Sequence, residues 1–226
     1  MKLPKPQTPA EELFAFTEAM GALMFGTYKT KAGRMSPYFF DAGRFSDGKS
    51  LWTLGKLYAK TILNSSLQFD GLFGPAYKGI PLVCATAIAL SELGENYPYT
   101  YDRKEEKDHG ERGALIGAPL KRRILVTDDV ISAGTSVRRS AKLIKNAGAE
   151  LAGVVVSLDR QEKGQGELSA IQEVQQMYGV PVIAIARLED MVRYLERARD
   201  MGLDSSAAEI VDNINAYREQ YGTIAA

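Results

Sequence analysis

Two adjacent carboxylates, Asp128 and Asp129, close the apolar run "ILVTDD" and open onto "VISAGTS", a stretch of small and hydroxyl-bearing residues. Carboxylates in this place can accept hydrogen bonds from vicinal hydroxyls or hold a hydrated metal ion. Strand alternation sends the two side chains to different sides. The residues that follow, Val130, Ile131, Ser132, Ala133, Gly134, Thr135 and Ser136, suit another partner. Small residues let backbone N–H groups come close to a ligand, and a helix starting near Thr135 adds partial positive charge. Ser132, Thr135 and Ser136 add hydroxyl donors. Hydroxyl acceptors beside a phosphate cradle describe a pocket for a ribose 5-phosphate. A single Asp before Gly and Thr would read as a polar turn capped by Thr135; the whole block from Ile124 to Ser136 favours the pocket.

The elements that must position these residues alternate along the chain. Thr8 to Tyr28 reads as a helix, with Thr8 and Glu11 at capping-box spacing and Pro9 at the first helical position. "GTYKTKAGRMSPYFFDAG" reads as a hairpin turning near Ala32 and Gly33. "SLWTLGKLYAKTILNSS" carries Leu51, Leu54, Tyr58 and Ile62 on one helical stripe. Then come a short strand "FDGLFG", the turn "PAYKG", an apolar helix from Ile80 to Leu93, a strand "YPYTYDR" and a charged loop "KEEKDHGERG". The strand "RRILVTDD", the helix "TSVRRSAKLIKNAG", the strand "LAGVVVSLDR", the helix "ELSAIQEVQQMYG", the strand "VPVIAIA" and two further helices complete the order. Such alternation predicts an α/β fold: a mostly parallel central sheet with helices on both faces. The unbroken apolar runs "ILV", "VVV" and "VIAIA" fit strands buried on both sides. Ligands of such sheets sit beyond the carboxyl ends of the strands, where Val126 gives way to Asp128 and Asp129.

Composition sets the limits. The 226 residues suit a single domain, with a small N-terminal hood over about residues 1–45. Lys+Arg and Asp+Glu both total 28, so no bulk field gathers nucleic acid or anionic lipid, and any anion site must be local. The lone cysteine, Cys84, rules out an internal disulfide and fits a reducing, cytoplasmic setting; in its apolar helix it reads as packing. "MKLPKPQTPAEE" has no signal-peptide core, and "IPLVCATAIAL" is too short to span a bilayer, so no membrane is expected. "LKRR" at Leu120–Arg123 lacks aromatic interleaving and reads as a solvated turn.

A rival stands at "GRFSDGKS", Gly43 to Ser50, which matches the P-loop pattern G-x-x-x-x-G-K-[ST]. "ILVTDD" could pass for the acidic strand of such an NTPase. Asp47 counts against it, because a carboxylate facing phosphates is electrostatically unfavourable. A turn entering a helix, with Ser46, Asp47 or Ser50 near its cap, is the preferred reading.

The block around Asp128 and Asp129 resembles the phosphoribosyl pyrophosphate (PRPP) motif of the type I phosphoribosyltransferases. "KAGRMSPYFFDAG", "LFGPAYKGIP", "DRKEEKDHGERG" and "SLDRQEKGQGELSAIQEV" occur in family order and narrow the resemblance to the orotate phosphoribosyltransferases. Arg112 departs from the small residue expected there. The resemblance implies transfer of a phosphoribosyl group from PRPP to orotate, giving orotidine 5′-phosphate and pyrophosphate in pyrimidine synthesis. It also implies Mg²⁺ carried mainly by PRPP, with no direct protein ligand, and a homodimer whose mobile loop reaches the partner's site. A related enzyme acting on another base, such as a purine, is the near alternative. A non-catalytic PRPP sensor is a further one, although the lid cations speak against it.

Residue roles follow from that likeness. Tyr77 and Lys78 sit just past a strand end, where amides and an ammonium can meet pyrophosphate; on charge alone Lys78 would be solvated. Arg103, Lys104, Lys107, His109 and Arg112 lie among four acids in a run that otherwise reads as a solvated loop. By family pattern it is a lid over PRPP, with Gly110 and Gly113 permitting movement and Lys107 the main catalytic cation. His109 is the single histidine. Phe39 and Phe40 can offer orotate a stacking face and backbone donors, and alternation sends one of them into the core. Arg160 can pair with a planar acceptor edge, or with Asp159 or Glu162 as a salt bridge. Lys31, on the hairpin turn, reaches both substrates by family likeness, and Ser132 touches base and phosphoribosyl alike.

Overall fold

A six-stranded sheet organises the chain. The structure is a computed structural model that describes residues 1–30, 32–107, 113–131, 134–164 and 166–223; the side chains of 104–107 and 113 stand outside that description. In chain order the elements are α1 (Pro9–Ala19), β1 (Leu23–Lys29), β2 (Met35–Phe40), α2 (Gly48–Leu63), β3 (Gly71–Gly74) and α3 (Gly79–Glu92). Next come β4 (Tyr99–Lys107), β5 (Gly113–Gly117), β6 (Arg123–Asp128), α4 (Thr135–Asn146) and β7 (Glu150–Asp159). α5 (Ala170–Tyr178), β8 (Val182–Arg187), α6 (Leu188–Asp200) and α7 (Ala207–Tyr221) follow. The main sheet runs β5-β4-β3-β6-β7-β8, parallel throughout except for the antiparallel edge strand β5. β1 and β2 form a separate antiparallel hairpin with Leu23 opposite Phe40.

Side-chain alternation divides the interior in two. Leu72, Leu125 and Val155 face a core shared with α1, α2, α3, α6 and α7. Their neighbours Phe73, Val126, Val154 and Val156 face a second core under α4 and α5. The middle of each central strand is therefore apolar on both faces, which is the physical content of "ILV" and "VVV". At the N-terminus, the Tyr194 hydroxyl donates to the Pro4 carbonyl at 2.5 Å, and Arg197 pairs with Glu11 at 3.0 Å, tying α1 to α6.

Two local expectations need correction. The helix expected from Thr8 to Tyr28 stops at Ala19, and residues 23–29 are the strand β1. Gly21, at φ +66°, takes the left-handed conformation that ends a helix. Its N–H donates to Glu18 at 2.9 Å and that of Ala22 to Thr17 at 2.8 Å, satisfying two terminal carbonyls. The stretch expected as a loop from Lys104 to Gly113 has β4 running on to Lys107 and β5 beginning at Gly113, with these two residues paired. The short run "ALIG" concealed the edge strand.

The segment Gly43–Ser50 is a capped turn, as preferred. Ala42–Arg44 form a single 3-10 turn, and Asp47 caps α2 by accepting the Ser50 N–H at 2.7 Å. The Ser50 hydroxyl faces back to the Asp47 N–H at 3.3 Å. The helix N-terminus that a P-loop would offer to phosphate already holds its own carboxylate.

Gly21 has nothing within 4 Å of a would-be Cβ, so substitution there tests conformation without a clash. Gly21→Ala should lower unfolding free energy by about 1 kcal/mol in urea melts, and Gly21→Asn by less, because Asn tolerates the left-handed region better.

Candidate active site

Strand order reverses between β3 and β6: the chain leaves β3 toward β4 on one side and β6 toward β7 on the other. The crevice beyond the carboxyl ends of such a pair is where an open α/β sheet binds ligands. On the β3 side the chain folds tightly back into α3. A Cβ on Gly74 would lie 2.2 Å from the Gly79 carbonyl oxygen, and one on Gly79 would lie 2.5 Å from Pro75 Cδ, so only glycine fits either place. This packing presses the loop Pro75–Lys78 over the strand end; within it the Ala76–Tyr77 bond is cis. Lys78 occupies the N-cap of α3 with no side-chain cap, and Tyr77 is exposed.

On the β6 side, Asp128 and Asp129 are both buried. They diverge as alternation requires. Asp128 Oδ2 accepts the Ser136 hydroxyl at 2.7 Å, from the first turn of α4, and its Oδ1 accepts the Asp129 N–H at 2.9 Å. Asp129 turns toward β3: its Oδ2 accepts Lys78 Nζ at 2.8 Å and its Oδ1 accepts the Val130 N–H at 2.8 Å. Burial, then the neighbouring Asp129 charge, push the Asp128 carboxyl up to about 6, against the pull of the Ser136 and Asp129 hydrogen bonds. Burial works against the Lys78 charge, but Asp129, Asp41 and Asp128 outweigh it and leave its pKa raised. Backbone anchors complete the frame. Tyr58 of α2 donates to the Asp128 carbonyl at 2.7 Å, and Ser157 of β7 donates its N–H and hydroxyl to the Asp129 carbonyl at 2.9 and 2.6 Å.

The block from Val130 to Ser136 turns into α4 at Gly134, which has φ +64° and, having no side chain, leaves the first helical N–H groups uncapped. Val130 packs toward the first core and Ile131 into the second, so these two can offer a ligand only their backbones. Thr135 is exposed and opens the helix. Ser132 and Ala133 lie outside the described residues, as do Lys31, His109 and Arg112, and the Lys104 and Lys107 side chains.

The hairpin approaches the same edge of the sheet. Phe40 is buried, packing near Phe45, while Phe39 is exposed and stacks on Tyr28 at 5.6 Å. The alternation expected for the two phenylalanines is present. Arg160, just past β7, lies over the Tyr38 ring at 4.4 Å, donates to Ser36 Oγ at 3.1 Å and pairs with Glu162 through Nε at 2.9 Å. The salt bridge with Glu162 foreseen as its plainer role is thus formed, and it fixes the guanidinium against β2.

Several supporting residues escaped the sequence reading. Tyr58 was legible as an apolar stripe position, but its hydroxyl bond was not. Asp102 is buried beside Thr100, alternating with Tyr99 and Tyr101; a carboxylate at an inward position was the available signal. Arg139 pairs with it at 2.8 Å, and nothing in the helix pattern marks that arginine. Among the described residues no group of three or more His, Cys, Asp and Glu side chains gathers to hold a metal. The two aspartates, each already accepting from protein donors, fit a divalent ion that keeps mostly water and substrate oxygens as ligands.

Comparison with known proteins agrees with this geometry. The phosphoribosyl transferase domain family matches residues 47–181. An orotate phosphoribosyltransferase of Chromobacterium violaceum is 55% identical over 212 residues, covering 94% of this chain and 96% of its own. That of Neisseria meningitidis serogroup C is 54% identical, covering 94% and 97%. The crystal structure of orotate phosphoribosyltransferase from Francisella tularensis superposes with a TM-score of 0.83 at 38% identity, covering 94% of this chain and all of that one. With the P-loop rival removed by the Asp47 cap, fold, crevice and kinship converge, and the chain belongs to the phosphoribosyl transferase family, among the orotate phosphoribosyltransferases.

Proposed function

We propose that this chain transfers the 5-phosphoribosyl group of PRPP to orotate, releasing pyrophosphate and forming orotidine 5′-phosphate, the step before UMP in pyrimidine synthesis. One arrangement carries this function: Asp128 and Asp129, Lys78 and the uncapped start of α4 surround a single crevice at the switch point of the sheet. The aspartates accept from the ribose 2′- and 3′-hydroxyls. The first turn of α4, with Thr135, holds the 5-phosphate; the Ser136 hydroxyl is engaged with Asp128, so Ser136 contributes through its N–H. Lys78 and the backbone amides of Tyr77 and Lys78 face pyrophosphate, joined by the cations of 103–109. Phe39 offers orotate a stacking face, and Arg160, immobilised by Glu162 and Ser36, borders the base.

The C1–oxygen bond to pyrophosphate breaks as N1 of orotate bonds to C1, and the N1 proton is released, to the departing pyrophosphate or to water. Positive charge grows at the sugar and negative charge on the leaving group, so fixed cations beside pyrophosphate are worth more in the transition state than in the ground state. Mg²⁺ carried by PRPP would supply further neutralisation of the leaving group.

The proposal includes a homodimer whose 103–113 segment reaches the partner's site, and a cytoplasmic location. Cys84, Ile88 and Glu92 form one stripe of α3. Trp52 of α2 bonds Glu92 at 3.3 Å, and Tyr99 lies against Cys84, so the exposed Trp52, Ile88 and Tyr99 lie on neighbouring parts of one face, with Glu92 among them. Such a patch supports subunit pairing. Among the described residues no helix is long and apolar enough to cross a membrane.

The direct test follows orotate absorbance with PRPP and Mg²⁺. Orotate should be consumed, and adenine and hypoxanthine should not; turnover of a purine in its place would overturn the substrate assignment. Lys107→Ala should slow turnover far more than it weakens PRPP binding, by about 10² to 10³ in kcat; equal losses in both would contradict the role of Lys107.

Asp128 gives a further prediction. Its proton is held more tightly in the folded than in the unfolded state, so its contribution to stability is fullest below about pH 4 and is lost as pH rises through about 6. Asp128→Asn should therefore be more stable to unfolding than the parent at pH 8, by at most about 3 kcal/mol, with the gain vanishing by about pH 4. The same variant, and more so Asp128→Asn with Asp129→Asn, should lose PRPP affinity. Calorimetric titration of PRPP alongside melts across pH measures both effects.

A further inference from the structure

We propose that Asp102 and Arg139 are a positioning pair that sets the pyrophosphate-facing loop Pro75–Lys78 against α4 and the root of the lid; this role rests on the phosphoribosyl-transfer function proposed above. Asp102 lies at an inward position midway along β4, beside the carboxyl end of β3, where Gly74 pairs with Tyr101, and its side chain is 2% exposed. Each of its oxygens has a separate task. Oδ1 accepts the Ala76 N–H at 2.5 Å, and Oδ2 accepts Arg139 Nε at 2.8 Å. The guanidinium reaches further: its NH2 donates to the Arg103 carbonyl at 2.6 Å. One carboxylate and one planar fork thus join three segments that the reaction uses.

The placement matters because each joined segment faces a different part of PRPP. Ala76 precedes Tyr77 and Lys78, whose ammonium is bonded to Asp129. Arg103 begins the run of lid cations. Arg139 lies one helical turn beyond Thr135, on the helix whose first amides meet the 5-phosphate. A pair of one buried carboxylate and one half-exposed guanidinium adds little to stability, yet removing the guanidinium leaves an uncompensated charge on Asp102. Its value here lies in geometry: the Arg fork has fixed directions, and Lys could not reach both acceptors in the same way. The pair holds the pyrophosphate loop at a fixed height above the ribose aspartates and touches no reacting atom itself.

The reverse reaction, orotidine 5′-phosphate plus pyrophosphate, separates the contacts. Asp102→Ala removes the acceptor of the Ala76 amide and should raise KM for pyrophosphate about tenfold, leaving KM for orotidine 5′-phosphate within twofold. Asp102→Asn keeps an oxygen for the Ala76 N–H but turns an NH2 toward Arg139, so it should recover only part of that loss. Arg139→Gln should act like Asp102→Ala, Arg139→Lys should rescue it only in part, and Asp102→Ala with Arg139→Gln should be no worse than the more severe single variant, because the two act as one unit. A merely structural pair would lower melting temperature while moving both KM values equally or not at all. Unchanged pyrophosphate KM in folded variants, equal loss for both substrates, or multiplicative effects in the double variant would overturn the proposal. The half-exposed Arg139 keeps the test open should Asp102→Ala fail to fold. An inactive parent enzyme would instead sink the proposed function.

Discussion

Holding two carboxylates side by side in a buried place is the physical constraint around which this molecule is arranged. Their mutual repulsion and loss of water both disfavour charge, and donors from four different elements offset it. Lys78, before α3, takes one carboxylate, and Ser136 of α4 takes the other. Tyr58 of α2 and Ser157 of β7 fix the backbone carbonyls beneath them. None of these contacts is close in sequence to all the others, so the pair exists only when the whole sheet and both flanking layers are assembled. Asp128 remains strained electrostatically, which is typical of a site shaped for a ligand's hydroxyls more than for the resting protein.

The topology explains why the donors can converge. β3 and β6 are neighbours whose following helices depart to opposite faces of the sheet, opening a crevice between their ends. The Gly74–Gly79 contact narrows one wall, and the uncapped start of α4 forms the other. α1, α2 and α5, by contrast, begin with side-chain caps from Thr8, Asp47 and Ser169. Helices that satisfy their own first amides are closed to phosphate. α4, whose glycine N-cap offers no side chain to its first amides, is available to it, and the strand order places that helix at the crevice.

Much of this was legible in the residues because the pattern and the chemistry coincide. Continuous apolar strands, the aspartate pair and the small-residue turn all depend on local spacing, and they appear where spacing puts them. The split between Phe39 and Phe40 followed from alternation alone. Failures occurred where local signals competed. Helical periodicity through Leu23 and Phe25 masked the stop at Gly21, and charge density hid the continuation of β4 to Lys107. The P-loop match was set aside on the strength of Asp47, and that residue is the cap of α2. What could not be read were long-range pairs such as Arg139 with Asp102 and Tyr58 with the Asp128 carbonyl. They join positions 37 and 70 residues apart, and no periodicity encodes such a meeting.

The pairing of β4 with the edge strand β5 bears on how the proposed lid can move. Thr100 faces Gly117, Asp102 faces Leu115, and Lys107 faces Gly113, so both feet of the charged segment are bolted to the sheet margin. A tether of that kind restricts the search to a small volume. For any chain segment held at both ends, the entropy cost of closing it grows only slowly with its length. Under the proposed function the lid's cations would therefore stay at high effective concentration near the partner's crevice that they are assigned to, and a lengthened tip would dilute them without altering a contact in the pocket.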